Sequence, residues 1–403
     1  MTSKANPEMQ DKGDDQKLPR GFAFVVFARF VSNVAYRMVF PFLPTIARGI
    51  GVSTATLGTT LALRDLVEIS GPALGKLADR RGTKKVMVAA LCGLGMAASL
   101  QGASNGLVVF TFALIAISIS KVSFDVGSST WTGSSVPFSG RSRAIGIVET
   151  TWAFSFIIGM PLAALLIRLG TWRTPFIAVS LVCLITSSAV WVYLPSPSNS
   201  QDKPLGVQKW STSTRFILIS MIALGTGHMM MLVTFATFLE DQHGVSTAGL
   251  GLVALIIGIA ELVGSGGVAL YGDRMGKTVV AKSALFLSLP LTLLLPFGES
   301  SFGLSLFLIA AWFVCTECVI VSMLSICTEL NGEARGKMMG YVYAGWSMGR
   351  FLGAISGALL YEWRGINPVS FAMTVALVVG LALMTVGFRS FDGFYSQSGE
   401  VRS

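Results

Sequence analysis

Residues Gly75–Lys85 read GKLADRRGTKK, a short polar loop between two apolar runs that are each long enough to cross a bilayer. The loop combines an acidic and a basic residue, Asp79 and Arg80, with a glycine, Gly82, and the adjacent lysines Lys84 and Lys85. Such a loop suits the end of a helix, because its charges can pair with neighbours and glycine allows a sharp backbone turn. A second copy lies 194 residues later, at Asp273, Arg274 and Gly276. The chain therefore contains an internal repeat.

The composition is that of a polytopic helical membrane protein. The 403 residues are 52% hydrophobic and 13% charged, with a mean hydropathy of +0.68, whereas soluble chains carry about 25% charged residues. A helix needs roughly 20 apolar residues to cross a hydrocarbon core of ~30 Å. The sequence predicts an all-α fold with twelve such helices, at 21–47, 54–78, 84–104, 106–136, 143–168, 173–195, 214–239, 247–271, 278–298, 302–328, 338–362 and 367–389.

Further repeats divide the spans into two halves of six. The segment GVSTATLG at 51–58 recurs as GVSTAGLG at 244–251. In the fifth and eleventh spans the matching residues are Arg141, Gly146, Trp152 and Gly159 with Arg335, Gly340, Trp346 and Gly353. Because six is an even number, both copies enter the membrane in the same direction, as parallel repeats. We expect a tail at 1–20, bundles at 21–195 and 214–389, a linker at 196–213 and a second tail at 390–403.

The distribution of Lys and Arg predicts that both termini are cytoplasmic. With that orientation the cytoplasmic side carries 21 of the 30 basic residues, the outer side carries 4, and the spans hold the rest. This is the asymmetry that the positive-inside rule describes. The net charge of +9 then reflects topology and anionic lipid headgroups, and it requires no nucleic-acid partner. We expect a multi-pass protein of a bacterial inner membrane.

No metal or organic cofactor is predicted. The pair Cys315 and Cys318 has CxxC spacing, but it lies within an apolar span without a second Cys or His pair, so zinc and redox roles are not expected. A membrane enzyme is disfavoured because the chain has only His228 and His243 and no HExxH motif. A nucleotide-driven pump is disfavoured because no GxxxxGK[ST] motif is present.

The twelve spans, the parallel halves and the loop after the second span resemble the major facilitator superfamily. The signature loop of that family, G-x-x-x-D-R-x-G followed by basic residues, is matched by Gly75, Asp79, Arg80, Gly82, Lys84 and Lys85. Thr83 stands where a basic residue is usual, and Ala269 replaces the first glycine in the second copy. The resemblance implies a secondary transporter that works by alternating access, with the loop holding a cytoplasmic gate through salt bridges.

A fainter resemblance favours the drug:proton antiporter branch. Gly159, Pro161 and the pair Ala163–Ala164 partly match a helix-5 motif of these antiporters, with the proline displaced by one position. Lys121 and Asp125 stand in the fourth span where these antiporters tend to carry arginine and glycine.

Ionisable residues inside the spans are the candidates for transport chemistry. Each would cost ~2.5–3.5 kcal/mol at the centre of a bilayer, so most of them must face the bundle interior, water or one another. There are eleven: Arg29, Arg37, Arg64, Asp65, Glu68, Lys121, Asp125, Glu149, Glu261, Glu317 and Arg350.

Spacing predicts some of their partners. Lys121 and Asp125 are four residues apart on one helix face, as are Arg64 and Glu68. A rise of 1.5 Å per residue gives Arg350 about the same depth as Asp65 and Glu68, and the resemblance implies that helices 2 and 11 face each other. We hypothesise that Arg350 pairs with Asp65 or Glu68 in one conformational state only.

The remaining candidates fall into two groups. An acid without a partner in a low-dielectric site can hold a proton near neutral pH, so the proton-coupling candidates, in order, are Glu317, Asp125 and Glu149. The resemblance implies that helices 1, 4, 7 and 10 line the cavity. The candidates for contact with substrate are Arg37, Lys121, Tyr36, Trp152, His228 and Trp346.

The function that these features favour is secondary active transport. We expect proton-coupled efflux of drugs or small metabolites, with a small-molecule substrate, protons and the lipid bilayer as partners. The protein is expected to be a monomer, since two six-helix halves complete the transport unit. The alternatives are proton-coupled uptake of a small metabolite, which Arg29, Arg37 and Lys121 would suit if the metabolite is anionic and their charges are free, and a non-transporting sensor on the same scaffold.

Overall fold

The computed structural model describes residues 19–69, 82–136, 138–195, 212–329 and 335–399, and within these ranges every regular element is helical. The helices of the first half are α1 Phe22–Arg37, α2 Leu43–Ile50, α3 Thr54–Glu68, α4 Thr83–Ala103, α5 Leu107–Ser135, α6 Phe138–Phe154, α7 Met160–Leu169 and α8 Thr174–Tyr193. Those of the second half are α9 Thr212–His243, α10 Thr247–Met275, α11 Lys277–Leu294, α12 Phe302–Glu329, α13 Arg335–Arg364 and α14 Ile366–Gly399.

The helices follow the twelve predicted spans and confirm the all-α fold class. Nine of the described helices are long and apolar enough to cross a membrane, the longest of them spanning Thr214–His243. Many large apolar side chains are exposed on the outside of the bundle, among them Ile185 at 69% and Leu270 at 71%. Such a surface is stable in lipid, where apolar side chains need no cover from water.

Two predicted spans are interrupted at prolines. The first span is divided into α1 and α2 by a turn over residues 38–42. Pro41 and Pro44 explain the break, because proline lacks a backbone N–H and its ring obstructs the preceding helical turn. The fifth span is divided into α6 and α7 by a wide π turn at Ser155–Gly159, just before Pro161.

The repeat is visible in the local geometry. Ser53 and Ser246 hold equivalent positions in the two GVSTA segments, and each side chain accepts a hydrogen bond from the backbone N–H three residues on. Gly82 and Gly276, the glycines of the two polar loops, both take a left-handed φ, of 85° and 84°, immediately before a helix. The sequence repeat therefore corresponds to a repeated structure.

The two ends of the bundle differ in how the halves meet. We call the end at which α1 and α4 begin the terminus face, and the end at which α3 and α10 begin the opposite face. Toward the opposite face, one apolar cluster includes residues of both halves, such as Leu57, Phe156, Met229 and Ile257. Toward the terminus face there are two clusters instead, one formed by residues of the first half and the other by residues of the second. Among the described residues, the halves are thus joined by a common core at one end and not at the other.

Among the described residues, direct packing between the halves involves α3 with α13, α10 with α6 and α7, and α2 with α9. The contacts obey the repeat. A Cβ added to Gly58 would lie 2.9 Å from the Cβ of Ala358, and one added to Gly251 would lie 2.5 Å from the Cβ of Ala164. Glycine permits this close approach of the backbones because it has no side chain.

Several predicted boundaries fall outside the described residues. The first tail and the linker lie almost entirely there, as do Gly75, Asp79 and Arg80 of the polar loop. At the other end the last helix is longer than predicted: α14 continues to Gly399, into the segment assigned to the second tail.

Candidate functional site

A buried ion pair joins the two halves at the centre of the molecule. Arg37, the last residue of α1, donates from Nη1 and Nη2 to the two carboxylate oxygens of Glu261 in α10, at 3.0 and 2.5 Å. Their side chains are 1% and 2% exposed. Arg37 also donates to the carbonyl oxygen of Trp152 at 2.7 Å, and its guanidinium lies 3.6 Å from the ring centre of Phe156. Two-point hydrogen bonding and aromatic stacking are characteristic of arginine and fix its orientation.

A second charged network links α3 to α13. Nη2 of Arg350 lies 2.9 Å from Oδ1 of Asp65, and Nη1 lies 3.5 Å from Oε2 of Glu68. The hydroxyl of Tyr36 accepts a hydrogen bond from Arg350 at 2.7 Å and donates one to Glu68. Ser347 donates to Glu68 at 3.0 Å. The structure thus brings Arg350 to both of the acids that the sequence offered as partners, in the conformation whose halves meet at the opposite face.

Arg64 does not form the pair with Glu68 that the four-residue spacing predicted. It donates to the carbonyl oxygen of Tyr36 at 2.9 Å, and its guanidinium stacks 3.9 Å from the centre of the Tyr36 ring. The prediction was wrong because Glu68 turns outward from its own helix toward Arg350 on α13.

A third cluster of charges lies within the first half. Nζ of Lys121 is 2.6 Å from Oδ1 of Asp125, and Arg29 contacts the same carboxylate. Arg29 also lies 3.7 Å from Glu149, whose side chain is 61% exposed. Two cations and two acids therefore neutralise one another here, and Asp125 is held by both cations.

Glu317 stands apart from these pairs. Glu317 lies on α12 against Gly264 of α10. A Cβ added to Gly264 would lie 2.9 Å from the Cβ of Glu317. Gly264 is three residues after Glu261, which places Glu317 about one turn from the Arg37–Glu261 pair. Its side chain is half-buried, and within the described part of the chain it forms neither a hydrogen bond nor an ion pair. It is an acid inside the bundle without a bound counter-charge.

The aromatic candidates surround His228 of α9. The ring centre of His228 lies 5.9 Å from Trp312, 6.2 Å from Phe313 and 5.3 Å from Trp346. We call these four residues the aromatic box. Trp312 was not singled out from the sequence, where it is one of eight tryptophans without a local motif.

Three predicted substrate contacts are engaged in other ways in this conformation. Arg37 and Tyr36 are almost fully buried and are bound to Glu261 and to Glu68 with Arg350, respectively. Trp152 is half-buried, with its ring centre 4.1 Å from the guanidinium carbon of Arg37. In this conformation each of the three residues therefore belongs to, or contacts, an ion pair that joins the two halves.

The gating motif is described only in part. Gly82 and Gly276 form the turns noted above, Lys84 lies 5.5 Å from the ring centre of Trp191, and Arg274 is exposed at the terminus face. The side chain of Asp273 lies outside the described residues, as do Gly75, Asp79 and Arg80. The salt bridges of this loop therefore stay a prediction.

The functional residue that sequence reasoning missed is Glu261. Its position inside an apolar span marked it as an interior charge, but no basic residue on its own helix pointed to a partner. The partner is Arg37, which is 224 residues away along the chain. Among the described residues no group of His, Cys, Asp and Glu has the geometry of a metal site, and Cys318 donates to the carbonyl oxygen of Gly264 at 3.4 Å.

Comparison with known proteins gives consistent results. The family model described as Major Facilitator Superfamily matches residues 25–330 and 217–392. Multidrug resistance protein MdtG of Yersinia enterocolitica is 23% identical over 376 residues, which cover 88% of this chain and 89% of that protein. Multidrug resistance protein 2 of Bacillus subtilis is 22% identical over 376 residues, covering 89% and 92%.

Two solved structures share the fold. A bacterial homologue of the human lysosomal transporter Spinster, in an inward-facing and unoccupied conformation, superposes with a TM-score of 0.73 at 12% identity and covers 92% of this chain and 96% of its own. The human organic anion transporter MFSD10 superposes with a TM-score of 0.69 at 17% identity, covering 90% and 98%. These similarities agree with the arrangement of the helices described above.

Proposed function

This chain belongs to the Major Facilitator Superfamily of membrane transporters, and from that premise we propose that it exports drugs or small metabolites in exchange for protons, by alternating access. The observation that carries the proposal is the pairing of two features. Buried ion pairs connect halves whose described residues share an apolar core toward one face, and Glu317, which forms no ion pair with those residues, lies beside one of the pairs.

Alternating access is supported by the unequal packing of the two ends. Apolar clusters confined to single halves at the terminus face leave the halves free to separate there, while the common cluster holds the opposite face together. We propose that the reverse state joins the terminus face. In the present state, Arg350 with Asp65 and Glu68 adds stabilisation that would be lost on rearrangement, and such a difference is what biases a conformational equilibrium.

Proton coupling is assigned to Glu317. A carboxylate within a bundle gains from a proton when no cation is bound to it, because the neutral acid costs less to bury. Asp125 and Glu149 are the other candidates, but Asp125 is bound by Arg29 and Lys121 and Glu149 is largely exposed beside Arg29. Glu317 therefore remains the first candidate.

Export is favoured over uptake of an anion for two reasons. Arg29, Arg37 and Lys121, the cations that would attract an anionic metabolite, each contact an acid of the chain itself. The relatives from Yersinia enterocolitica and Bacillus subtilis carry names that refer to multidrug resistance. A membrane potential of 100 mV supplies ~2.3 kcal/mol per proton charge, sufficient for a substrate gradient of roughly fiftyfold.

The proposed setting is a bacterial inner membrane, with both termini and the linker at 196–213 on the cytoplasmic side. This assignment makes the terminus face the cytoplasmic face, and it rests on the asymmetry of Lys and Arg in the sequence. We further propose that the monomer, with its bundles at 21–195 and 214–389, is the working unit.

The test is proton flux in proteoliposomes that contain a pH-sensitive dye. Cationic drugs, sugars and organic anions are added in turn to wild type, to Glu317→Gln and to Glu299→Gln, which replaces an exposed acid near the opposite face. We expect substrate-dependent proton movement in wild type and in Glu299→Gln, and its loss in Glu317→Gln. Equal proton movement in both variants would exclude Glu317, and substrate exchange without proton movement in wild type would exclude proton coupling.

A further inference from the structure

The aromatic box contains two buried polar atoms without partners. Nδ1 of His228 and Nε1 of Trp312 are inaccessible, and neither forms a hydrogen bond with any residue that the structure describes. The two side chains are 8% and 0% exposed. Their rings lie 5.9 Å apart and are inclined by 24°, so the two polar edges belong to neighbouring, nearly parallel rings.

Unpaired polar atoms in such a place require an explanation. An indole N–H can only donate, whereas a neutral imidazole can donate or accept through either nitrogen according to its tautomer. Buried donors are satisfied in nearly all native structures, because leaving one unpaired costs as much as a lost hydrogen bond. The pair is therefore suited to a hydrogen-bond acceptor that arrives from outside the chain.

The box also borders a groove from which a ligand could arrive. Trp346, a half-buried member of the box, is one wall of a small apolar groove that is open at its mouth. The groove continues along α9, α12 and α13 toward the terminus face, past residues such as Leu224, Met323 and Val342. Tyr343 at its edge is exposed and interacts electrostatically with Arg29, Asp125 and Glu149 of the other half. Trp346 thus stands between this groove and His228, with 5.3 Å between the two ring centres.

The two arginines nearest the box are already paired with acids. His228 lies within electrostatic range of Arg37 and Arg350. The acids on those arginines, Glu261 on one and Asp65 with Glu68 on the other, are already bound to them. The box therefore offers an indole N–H, an imidazole and ring faces beside arginines whose charges are already compensated, and these groups suit a carbonyl-type acceptor on a planar ring system.

We propose that the aromatic box is a substrate subsite that binds a carbonyl-type acceptor on a planar aromatic molecule. The indole N–H of Trp312 is the hydrogen-bond donor, and His228 beside it can donate or accept according to its tautomer. The proposal rests on the proposed function, since it names a chemical class among the exported substrates. The rest of the substrate lies in the apolar groove. The Trp346 side chain rotates away from its present position, and its ring then stacks on the substrate.

The test is equilibrium binding to the full chain in nanodiscs, without any ion gradient, using three tricyclic probes of one shape. Xanthone carries a ring carbonyl, xanthene lacks it, and N-methylacridinium is a cation. We expect wild type to bind xanthone about tenfold more tightly than xanthene, as one net hydrogen bond provides. Trp312→Phe keeps the ring but removes the donor, so it should bring the ratio close to one by weakening xanthone alone.

Two further variants complete the experiment. Trp172→Phe, which removes an indole N–H from the apolar cluster at the opposite face, should leave the tenfold ratio intact. His228→Phe should reduce the ratio, and it provides a second reading if Trp312→Phe does not fold. A ratio near one in wild type, a full ratio in Trp312→Phe, or binding of neither neutral probe would overturn the proposal.

The cationic probe tests whether the aromatic box is instead a binding site for cations. Tighter binding of N-methylacridinium than of xanthone, lost in Glu317→Gln, would identify a cation site and would also overturn the assignment. Because the ratio is measured without a gradient, failure of proton coupling leaves it unchanged. A xanthone-to-xanthene ratio near one would in turn leave the result of the proton-flux experiment unaffected.

Discussion

At the scale of single residues, the Arg37–Glu261 pair is the most consequential contact of the structure. Removing two charges from water is expensive, and their attraction offsets that cost only when geometry is good and other polar atoms are satisfied. Here two parallel hydrogen bonds join the side chains, and Arg37 has further acceptors in Trp152 and Ser155. The pair is therefore stable as a unit, and each member depends on the other.

We predict that Arg37→Met destabilises the protein by about 3–5 kcal/mol, because it leaves Glu261 buried and uncompensated. The double variant Arg37→Met, Glu261→Met should recover most of that loss, since apolar side chains of similar size can replace a buried pair. Thermal unfolding in detergent, followed by far-UV circular dichroism, measures both.

The control for this prediction is an ion pair near the surface. Arg48 is 59% exposed and pairs with Glu240, so Arg48→Met should cost no more than about 1 kcal/mol. Additive losses in the double variant of the buried pair would contradict the interpretation, because they would mean that the two charges act independently.

At the scale of helices, glycines determine how closely the two halves pack. A Cβ on Gly258 of α10 would lie 2.9 Å from the carbonyl oxygen of Ala153 and 2.8 Å from Cγ1 of Ile157. The backbones of α10 and the fifth span therefore touch, and a larger residue must separate them. Gly267, on the same helix but nearer the terminus face, has no atom of the described residues within 4 Å of such a Cβ.

We predict that Gly258→Val weakens closure of the opposite face, whereas Gly267→Val does not. The measurement is cross-linking of Arg48→Cys with Glu240→Cys, in a background without the five native cysteines. These positions contact each other across the two halves, so their cross-linking reports on closure there. The rate should fall several-fold in Gly258→Val. Equal rates in the two glycine variants would show that the close contact does not control closure.

At the scale of the whole molecule, the described residues of the two halves share one apolar cluster toward the opposite face and form two separate clusters toward the terminus face. Arg350 with Asp65 and Glu68 lies between those regions, where α3 and α13 pack together. Removing Arg350 leaves two adjacent acids with Arg64 alone nearby, its Nε 4.0 Å from Oδ1 of Asp65, and this shortage of positive charge is costly inside a bundle. If the network exists in the present conformation alone, the substitution destabilises this conformation relative to the reverse one.

We predict that Arg350→Gln shifts the population toward a state with a closed terminus face. Spin labels at Lys85 and Arg274, which are exposed at that face on different halves, should show a larger fraction of short distances in pulsed electron–electron double resonance. A change of at least tenfold in the ratio of the two states corresponds to about 1.4 kcal/mol, less than a lost buried pair provides.

The matched control is Arg143→Gln, a change at an exposed arginine of α6. It should leave the distance distribution as in wild type. If Arg350→Gln also left it unchanged, the network would be equally present in both states, and its role would be to hold helices together.

Local rules were sufficient for much of the fold. Hydropathy and the repeat predicted the twelve spans and the two parallel halves, because a helix must satisfy its own backbone and present apolar side chains to lipid. The pair of Lys121 with Asp125 also followed from spacing, since both residues lie on one helix face. The same rule was wrong for Arg64 and Glu68, where residues of another helix compete for both side chains.

The sequence alone establishes the membrane-spanning architecture, the repeat, and the requirement that most of the charges inside the spans turn inward. Only the tertiary structure decided which charges meet. Arg37 reaches Glu261 across 224 residues, and Glu317, beside them, forms no ion pair with any residue that the structure describes. The physical reason is that spacing fixes contacts within one helix, whereas contacts between helices depend on their crossing and on the depth at which each residue stands.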